Sequence, residues 1–236
     1  MSPPVLLFFS AYPIVSAEHR VDSRGMAAVE PTENFLPSHP TLPALRAAAR
    51  HCRGCTLYLH ATQTVFGEGS AKASMMLIGE QPGDREDISG HPFVGPAGQL
   101  LDEALQEAGI DRARVYVTNA VKHFNFEPRG KFRLHKRPPA SAGSACLPWM
   151  RAELGLIEPE VVVLLGAVAA QALFGAKFRI TRDRGKVLKH ELAPAVIATL
   201  HPSGILRAPD EEARRQSYGY LVADLKLAAK KTITRS

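Results

Sequence analysis

Residues 161–174 read VVVLLGAVAAQALF, five large apolar residues, a glycine, and then small and apolar residues at helical spacing. A strand that is apolar at every position has to be covered on both faces, and a helix that follows at once is how a parallel sheet returns its chain. The same pattern recurs on either side. Met75-Met76-Leu77-Ile78 is followed by a helix expected over Pro96 to Ala108, with Leu100, Leu101, Ala104, Leu105 and Ala108 on one face. Val115-Tyr116-Val117 and Val196-Ile197-Ala198 read as further strands, with helices expected around Ala145 to Leu154 and from about Glu211 to Lys230. The fold expected is α/β, a three-layer α/β/α sandwich around a short central, mainly parallel sheet.

At 236 residues and 45% hydrophobic, the chain can bury one such core, and its length forces no second domain. One domain is expected over 41–236. Met1 to Ala17 is apolar, but it lacks a basic leading region and is interrupted by Pro13. No stretch approaches the ~20 apolar residues of a membrane span. A cytoplasmic protein without membrane association is expected. Met26 opens a more polar, Pro-rich run through Pro43 and offers an alternative start that would leave the first 25 residues out of the product. Residues 1–40 are expected to be a disordered extension. Nothing signals oligomerisation, and a monomer is expected.

Twenty-nine Lys and Arg face 23 Asp and Glu, a formal charge of +6 that favours partners rich in phosphate. The distribution is more informative than the total. Lys122, Arg129, Lys131, Arg133, Lys136 and Arg137 lie within 122–137 against the single acid Glu127, and 177–189 holds only Asp183. Three cysteines, with Cys52 and Cys55 close together and Cys146 far away, do not make a disulfide framework and point instead to a metal site in a reducing compartment. Cysteine thiolates can hold either an iron–sulfur cluster or tetrahedral zinc.

In open α/β sheets ligands bind beyond the carboxyl ends of the strands. Here those places hold GEQPGD (79–84), TNAVKHF (118–124), GAVAA (166–170) and HPSG (201–204). Taken singly, each has a plain reading. Gly83 and Gly95 permit tight backbone, Asp84 or Asp87 caps a helix, Asn119 turns the chain, Phe93 fills core and His201 caps a helix. The stretch 120–140 has no clear periodicity, and a loop of that length inside a compact domain is either functional or disordered. Its charge favours function.

Taken together, GEQPGD, HPFVGPAGQLL (91–101), VYVTNAVKHF (115–124), VVVLLGAVAAQAL (161–173) and HPSGIL (201–206) closely resemble the uracil-DNA glycosylase superfamily. The match covers roughly residues 45 to 230, and the family 4 enzymes and UdgX are nearest. The resemblance implies an enzyme that extrudes uracil from DNA, with single strands favoured because the base needs no unpairing. Phe93 would stack on the base, and Asn119 would pair with its edge. Gln81 and the adjoining segment with Asp84 would add substrate contacts. His201 would stabilise charge on the departing uracil, while Ser203 would lie against the DNA. Gly204 departs from the HPSS that is usual in UdgX.

Lys131-Phe132-Arg133-Leu134-His135-Lys136 resembles the KRRIHK insert that marks UdgX, with Phe132 and Leu134 in place of Arg and Ile. The resemblance makes His135 the nucleophile that captures C1' of the abasic sugar, with Glu80 as its partner. Lys131, Arg133 and Lys136 would hold DNA. Read from its residues alone, His135 is a phosphate-contacting or solvent-exposed histidine on a basic loop. The resemblance also implies Cys52, Cys55, His123 and Cys146 as ligands of a 4Fe-4S cluster, with His123 where family 4 enzymes carry a cysteine.

Overall fold

The computed structural model describes residues 29–232. In chain order the elements are α1 (Leu42–Ala49), β1 (Met75–Gly79), α2 (Asp84–Ser89), α3 (Pro96–Glu107), β2 (Val115–Asn119), β3 (Phe126–Arg129), β4 (Phe132–His135) and α4 (Ala140–Ile157). They continue with β5 (Val161–Leu165), α5 (Gly166–Phe174), α6 (Ile180–Asp183), β6 (Val187–His190), β7 (Ala193–Thr199), α7 (Pro202–Leu206) and α8 (Glu211–Ala229).

The central sheet runs β2-β1-β5-β7-β6, with β6 antiparallel to β7 and the other pairings parallel. Every residue of β1, β2 and β5 is buried, as strands covered on both faces require. Alternation assigns each side chain to a layer. Met75, Leu77, Val117, Val163, Leu165 and Ile197 pack on α3 and α8. Met76, Ile78, Tyr116, Val162, Leu164, Val196 and Ala198 pack on α4 and α5. Full burial of each such side chain contributes roughly 1.5–3 kcal/mol. This is the expected three-layer α/β/α sandwich with a mainly parallel sheet.

Helix ends follow local chemistry. Pro96 opens α3, where its missing N–H costs nothing. Asp210 caps α8 by accepting from the Ala213 amide at 2.8 Å. β1 lies between β2, reached by a helix on one face, and β5, from which the chain leaves by a helix on the other. A crevice therefore opens at its carboxyl end.

Two expectations are revised. Residues 29–40 are not a featureless extension. Thr32–Phe35 form a 3-10 turn, and the Thr32 hydroxyl donates to the Ala145 carbonyl at 2.5 Å. The Glu30 amide donates to the Arg53 carbonyl at 3.2 Å. A polar, Pro-rich composition forbids periodic structure but not docking onto α4. The rest of the expected extension, residues 1–28, lies outside the described residues.

The stretch 120–140 also contains an antiparallel hairpin, in which Phe126 pairs with His135 and Arg129 with Phe132. Gly130, at φ 58, takes the first place of its two-residue turn, as a tight hairpin of this kind demands. Phe126, Pro128, Arg133 and His135 share one face of the hairpin, and Glu127, Arg129, Phe132 and Leu134 the other. Among the described residues no helix is long and apolar enough to cross a membrane.

Candidate functional site

The segments beyond β1, β2 and β7 meet the end of β4 around a cavity of about 70 Å³. Gln81 and Gly83 follow β1, Asn119 ends β2, His135 ends β4, and His201 and Ser203 follow β7. Glu86 on α2, Phe93 and Ala97 complete the walls. Gly79 makes the close approach at the floor possible, because a Cβ there would stand 2.4 Å from Asn119 Oδ1 and 2.7 Å from Phe93 Cζ. Phe93 itself sits at φ 58, a conformation L residues rarely adopt. Its ring lies 6.4 Å from that of His201, inclined by 26°.

His201 has two unlike nitrogens. Nδ1 accepts from the Ser203 amide at 3.1 Å and pairs with the Ser203 hydroxyl at 2.8 Å. This network assigns the proton to Nε2, which is buried without a hydrogen-bond partner. Burial lowers the pKa to about 4, and His135 and Arg207 act in the same direction. The imidazole is therefore a neutral N–H donor beside the cavity. Ser203, expected against DNA, is turned toward His201.

The hairpin is bolted to β1 and α2. Gln81 Oε1 accepts from the Asn125 amide at 3.2 Å. Its Nε2 faces the Asn125 carbonyl at 3.1 Å, the Lys136 carbonyl at 3.0 Å and His135 Nε2 at 3.0 Å. Gln81 thus lines the cavity with an amide already committed to the hairpin. Two hydrogens serve three acceptors, so the lone pair on His135 Nε2 is only partly engaged. Desolvation lowers the His135 pKa, as does Arg207, while Glu86 raises it.

Arg133, expected to contact DNA, is an internal clamp. Its guanidinium donates to Asp84 at 2.6 Å, to Asp87 at 2.5 Å and to the Thr62 hydroxyl at 3.1 Å, and it lies over the rings of Phe124 and Phe126. The cause is Asp87, which is fully buried and would otherwise be an uncompensated charge. Asp84 is accordingly on the rim, paired with Arg133, and does not line the cavity.

Glu80 has its pKa raised by burial, opposed by Arg137 and Arg207, and the neighbour at His135 is Gln81 instead. Lys131 reaches over the Phe132 ring at the hairpin tip, and Lys136 contributes its backbone to the dock. The motifs did not single out Glu86 or Arg207. Glu86 accepts from the amides of Gly95 and Gly83 at 2.8 and 3.1 Å, and its place three residues after Gly83 is the available signal. Arg207, just beyond HPSGIL, had none.

Behind the pocket, Lys122 Nζ donates to Glu153 at 2.5 Å, to the Thr118 hydroxyl at 2.6 Å and to the Asn119 carbonyl at 3.0 Å. Glu153 also accepts from the Tyr116 hydroxyl at 2.9 Å and from the Gly67 amide at 3.2 Å. Both ionic side chains are shielded from water, so this pair anchors the end of β2 to α4.

Cys52, Cys55 and Cys146 are buried and free. A hydrogen bond from Cys146 lowers the Cys55 thiol to about 5 against the effect of burial, with a further contribution from His123. The Cys146 thiol moves up correspondingly. The Trp149 indole donates to Cys52 Sγ at 3.2 Å. His123 is buried, with Nε2 at 3.1 Å from the Thr64 hydroxyl and Nδ1 without a partner. Among the described residues no three His, Cys, Asp or Glu side chains converge as a single-ion site would. Cys55 and Cys146 interact directly and His123 acts on Cys55, while Cys52 packs in a separate cluster with Trp149; thiols and a buried imidazole nitrogen without a partner are donor types that fit a thiophilic metal group.

Comparison with known proteins agrees with this geometry. Residues 66–226 match the family described as the uracil DNA glycosylase superfamily. The chain is 39% identical over 167 residues to the type-4 uracil-DNA glycosylase of Thermotoga maritima, covering 70% of this chain and 83% of the relative. It is 35% identical over 175 residues to that of Pyrobaculum aerophilum, covering 71% and 86%. With that of Archaeoglobus fulgidus it shares 38% over 165 residues, covering 67% and 79%.

Proposed function

The chain belongs to the uracil DNA glycosylase superfamily, and on that premise we propose that it cleaves uracil from DNA and is then captured on the product sugar through His135. The observation that carries this reading is the pair of histidines on one cavity. One is a buried N–H donor with nothing to bond, and the other is a nitrogen whose lone pair is only partly engaged.

A uracil extruded from the strand meets the face of Phe93 and the amide of Asn119. As the C1'–N1 bond breaks, its electron pair leaves with N1 and negative charge spreads onto the base. The neutral Nε2–H of His201 stabilises that charge, and donors fixed in a dry site are worth far more than in water. The sugar is left as an oxocarbenium ion. His135 Nε2 gives its lone pair to C1', forming a nitrogen–carbon bond, and the ring's other proton passes through solvent to the uracil anion. The sum is uracil plus a neutral alkylated imidazole on DNA. Such a bond does not readily hydrolyse if the site offers no acid and water for the reverse step, and the enzyme then acts once and stays attached. In this reading the chain is of the UdgX subgroup, and a single strand is the preferred substrate because its base needs no unpairing.

Cys52, Cys55, His123 through Nδ1 and Cys146 are the ligands of a 4Fe-4S cluster in this reading, supported by the orphaned nitrogen and by the family resemblance. When bound, the cluster supplies a structural staple between the amino-terminal segment, the end of β2 and α4. Iron and acid-labile sulfide in the purified protein, with a brown colour that bleaches on oxidation, are expected. Zinc with no sulfide would overturn that assignment.

The test of the reaction is a labelled uracil-containing oligonucleotide incubated with protein, denatured and resolved on a gel. A shifted band that requires uracil and disappears in His135→Ser is expected. Alkali-cleavable DNA with no shifted band would make the protein a turnover enzyme of the family 4 kind. No uracil-dependent product of either sort would remove catalysis altogether.

A further inference from the structure

The β3–β4 hairpin has two faces with different assignments. The inner one carries His135 and Arg133 and is held by Gln81, Asp84 and Asp87. The outer one presents Phe132 at 62% exposure and Leu134 at 43%, the two positions where this chain departs from the insert it resembles. Two apolar side chains adjacent on one face of a docked hairpin, both exposed to water, form the kind of patch that marks a contact surface. Lys131 Nζ lies 5.6 Å from the centre of the Phe132 ring, and Arg129 is Phe132's cross-strand partner. An aromatic ring flanked by cations is the arrangement that binds single-stranded nucleic acid, with a base on the ring and phosphates on the charges.

We propose that this outer face, built on Phe132 and Leu134 with Lys131 and Arg129 beside them, is a stacking platform for an unpaired base of the DNA strand that carries the target uracil. The inference rests on the reading of the site as a uracil-excision centre, and the register follows from it. Phe132 stands three residues from His135 along an extended strand, about 10 Å at ~3.3 Å per residue. For a strand that keeps its bases stacked at ~3.4 Å each, that separation along the hairpin puts the platform about three nucleotides from the uracil. Because every base has a π face, the contact lengthens the footprint without reading sequence.

The test uses single-stranded oligonucleotides carrying a 2'-fluoro deoxyuridine that resists cleavage, with 2-aminopurine placed in turn one to six positions to either side. A fluorescence change is expected at one location, about three nucleotides away on one side only. Phe132→Ala should abolish it and Phe132→Trp restore it. Affinity for a strand with six flanking nucleotides should fall roughly 5- to 100-fold in Phe132→Ala, with no change on a strand trimmed to one flanking nucleotide per side.

Uracil release from a cleavable strand is measured in parallel. If the wild type releases uracil while Phe132→Ala binds every strand as the wild type does, the platform is wrong and the active site stands. If the wild type neither binds nor releases uracil, the site reading fails and the platform with it. If Phe132→Ala instead removes a concentration-dependent self-association seen by sedimentation and leaves DNA affinity intact, the face is an interface between copies and the proposal is overturned.

Discussion

His201 must accept on one nitrogen and donate from the other, and its surroundings enforce that division. Ser203 occupies Nδ1, and burial holds the pKa at about 4, so the donor form survives well below the ordinary histidine range. Uracil release is therefore expected to persist as pH falls from 6.5 toward 4, and a loss of rate centred near 6.5 that is traceable to His201 would contradict it. Stability should follow the opposite demand. Between pH 6.5 and about 4 the unfolded chain takes up a proton that the folded imidazole refuses, so the contribution is complete above 6.5 and is lost as pH falls toward 4. The total is about 3 kcal/mol, from ~1.4 kcal/mol per pH unit. Urea titrations from pH 4 to 8 should show a shallower slope in His201→Asn than in the wild type, with His135 contributing to both. Gly79 makes a second residue-level case. In Gly79→Ala the new Cβ would crowd Asn119 Oδ1 and Phe93 Cζ, so the base pocket must distort. Uracil release should drop about 100-fold, because an ångström of misplacement has effects of that order. Unchanged kinetics would mean that the floor of the pocket is softer than its packing indicates.

At the level of elements, the proposed reading rests excision and capture on different supports around one cavity. Removing the guanidinium in Arg133→Leu leaves Asp87 buried and unpaired, which costs about 3–5 kcal/mol and loosens the hairpin that carries His135. The adduct should largely disappear while uracil release continues from Asn119 and His201, which other elements hold. Arg133→Leu combined with Asp87→Asn should recover most of the stability, because the uncompensated charge is gone. Equal losses of adduct and uracil release in the single variant would show that the hairpin serves both steps. The hairpin was also the element hardest to read. β1, β2 and β5 are legible because runs such as VVVLL can only be strands covered on both faces. In 126–135 Pro128 lacks a donor and charged residues crowd the strands, so the alternation of Phe132 and Leu134 and the turn at Gly130 were masked. The site shows the same division. His135, His201, Asn119 and Phe93 were visible in their motifs. The turning of Gln81 and Arg133 inward was not, since their partners Asn125, Thr62 and Asp87 are distant in sequence or unremarkable in it.

Across the whole molecule, the Lys122–Glu153 pair joins parts that share no motif. Through it the carboxyl end of β2, where Asn119 enters the base pocket, is tied to α4, which bears Cys146, and to the backbone at Gly67. His123 follows Lys122 directly, so the base pocket and the thiol-rich centre are anchored by adjacent residues of one strand exit. An ion pair this deep is seldom a net source of stability, but breaking it from one side is severe, because the remaining charge stays buried. Glu153→Gln keeps the shape and the hydrogen-bonding capacity toward Tyr116 and Gly67 while removing the charge that Lys122 faces. The expected loss is about 3–5 kcal/mol, or roughly 10 °C in thermal midpoint for a domain of this size. Lys122→Met in the same background should return much of it, since an apolar side chain of similar length leaves no charge to compensate. Uracil release measured below the transition should have a lower single-turnover rate constant in Glu153→Gln, because the donor that Lys122 offers the Asn119 carbonyl is no longer held in place. A midpoint that moves by only a degree or two, with an unchanged rate of uracil release, would show that β2 is held by the sheet alone and that the buried pair is incidental to the site.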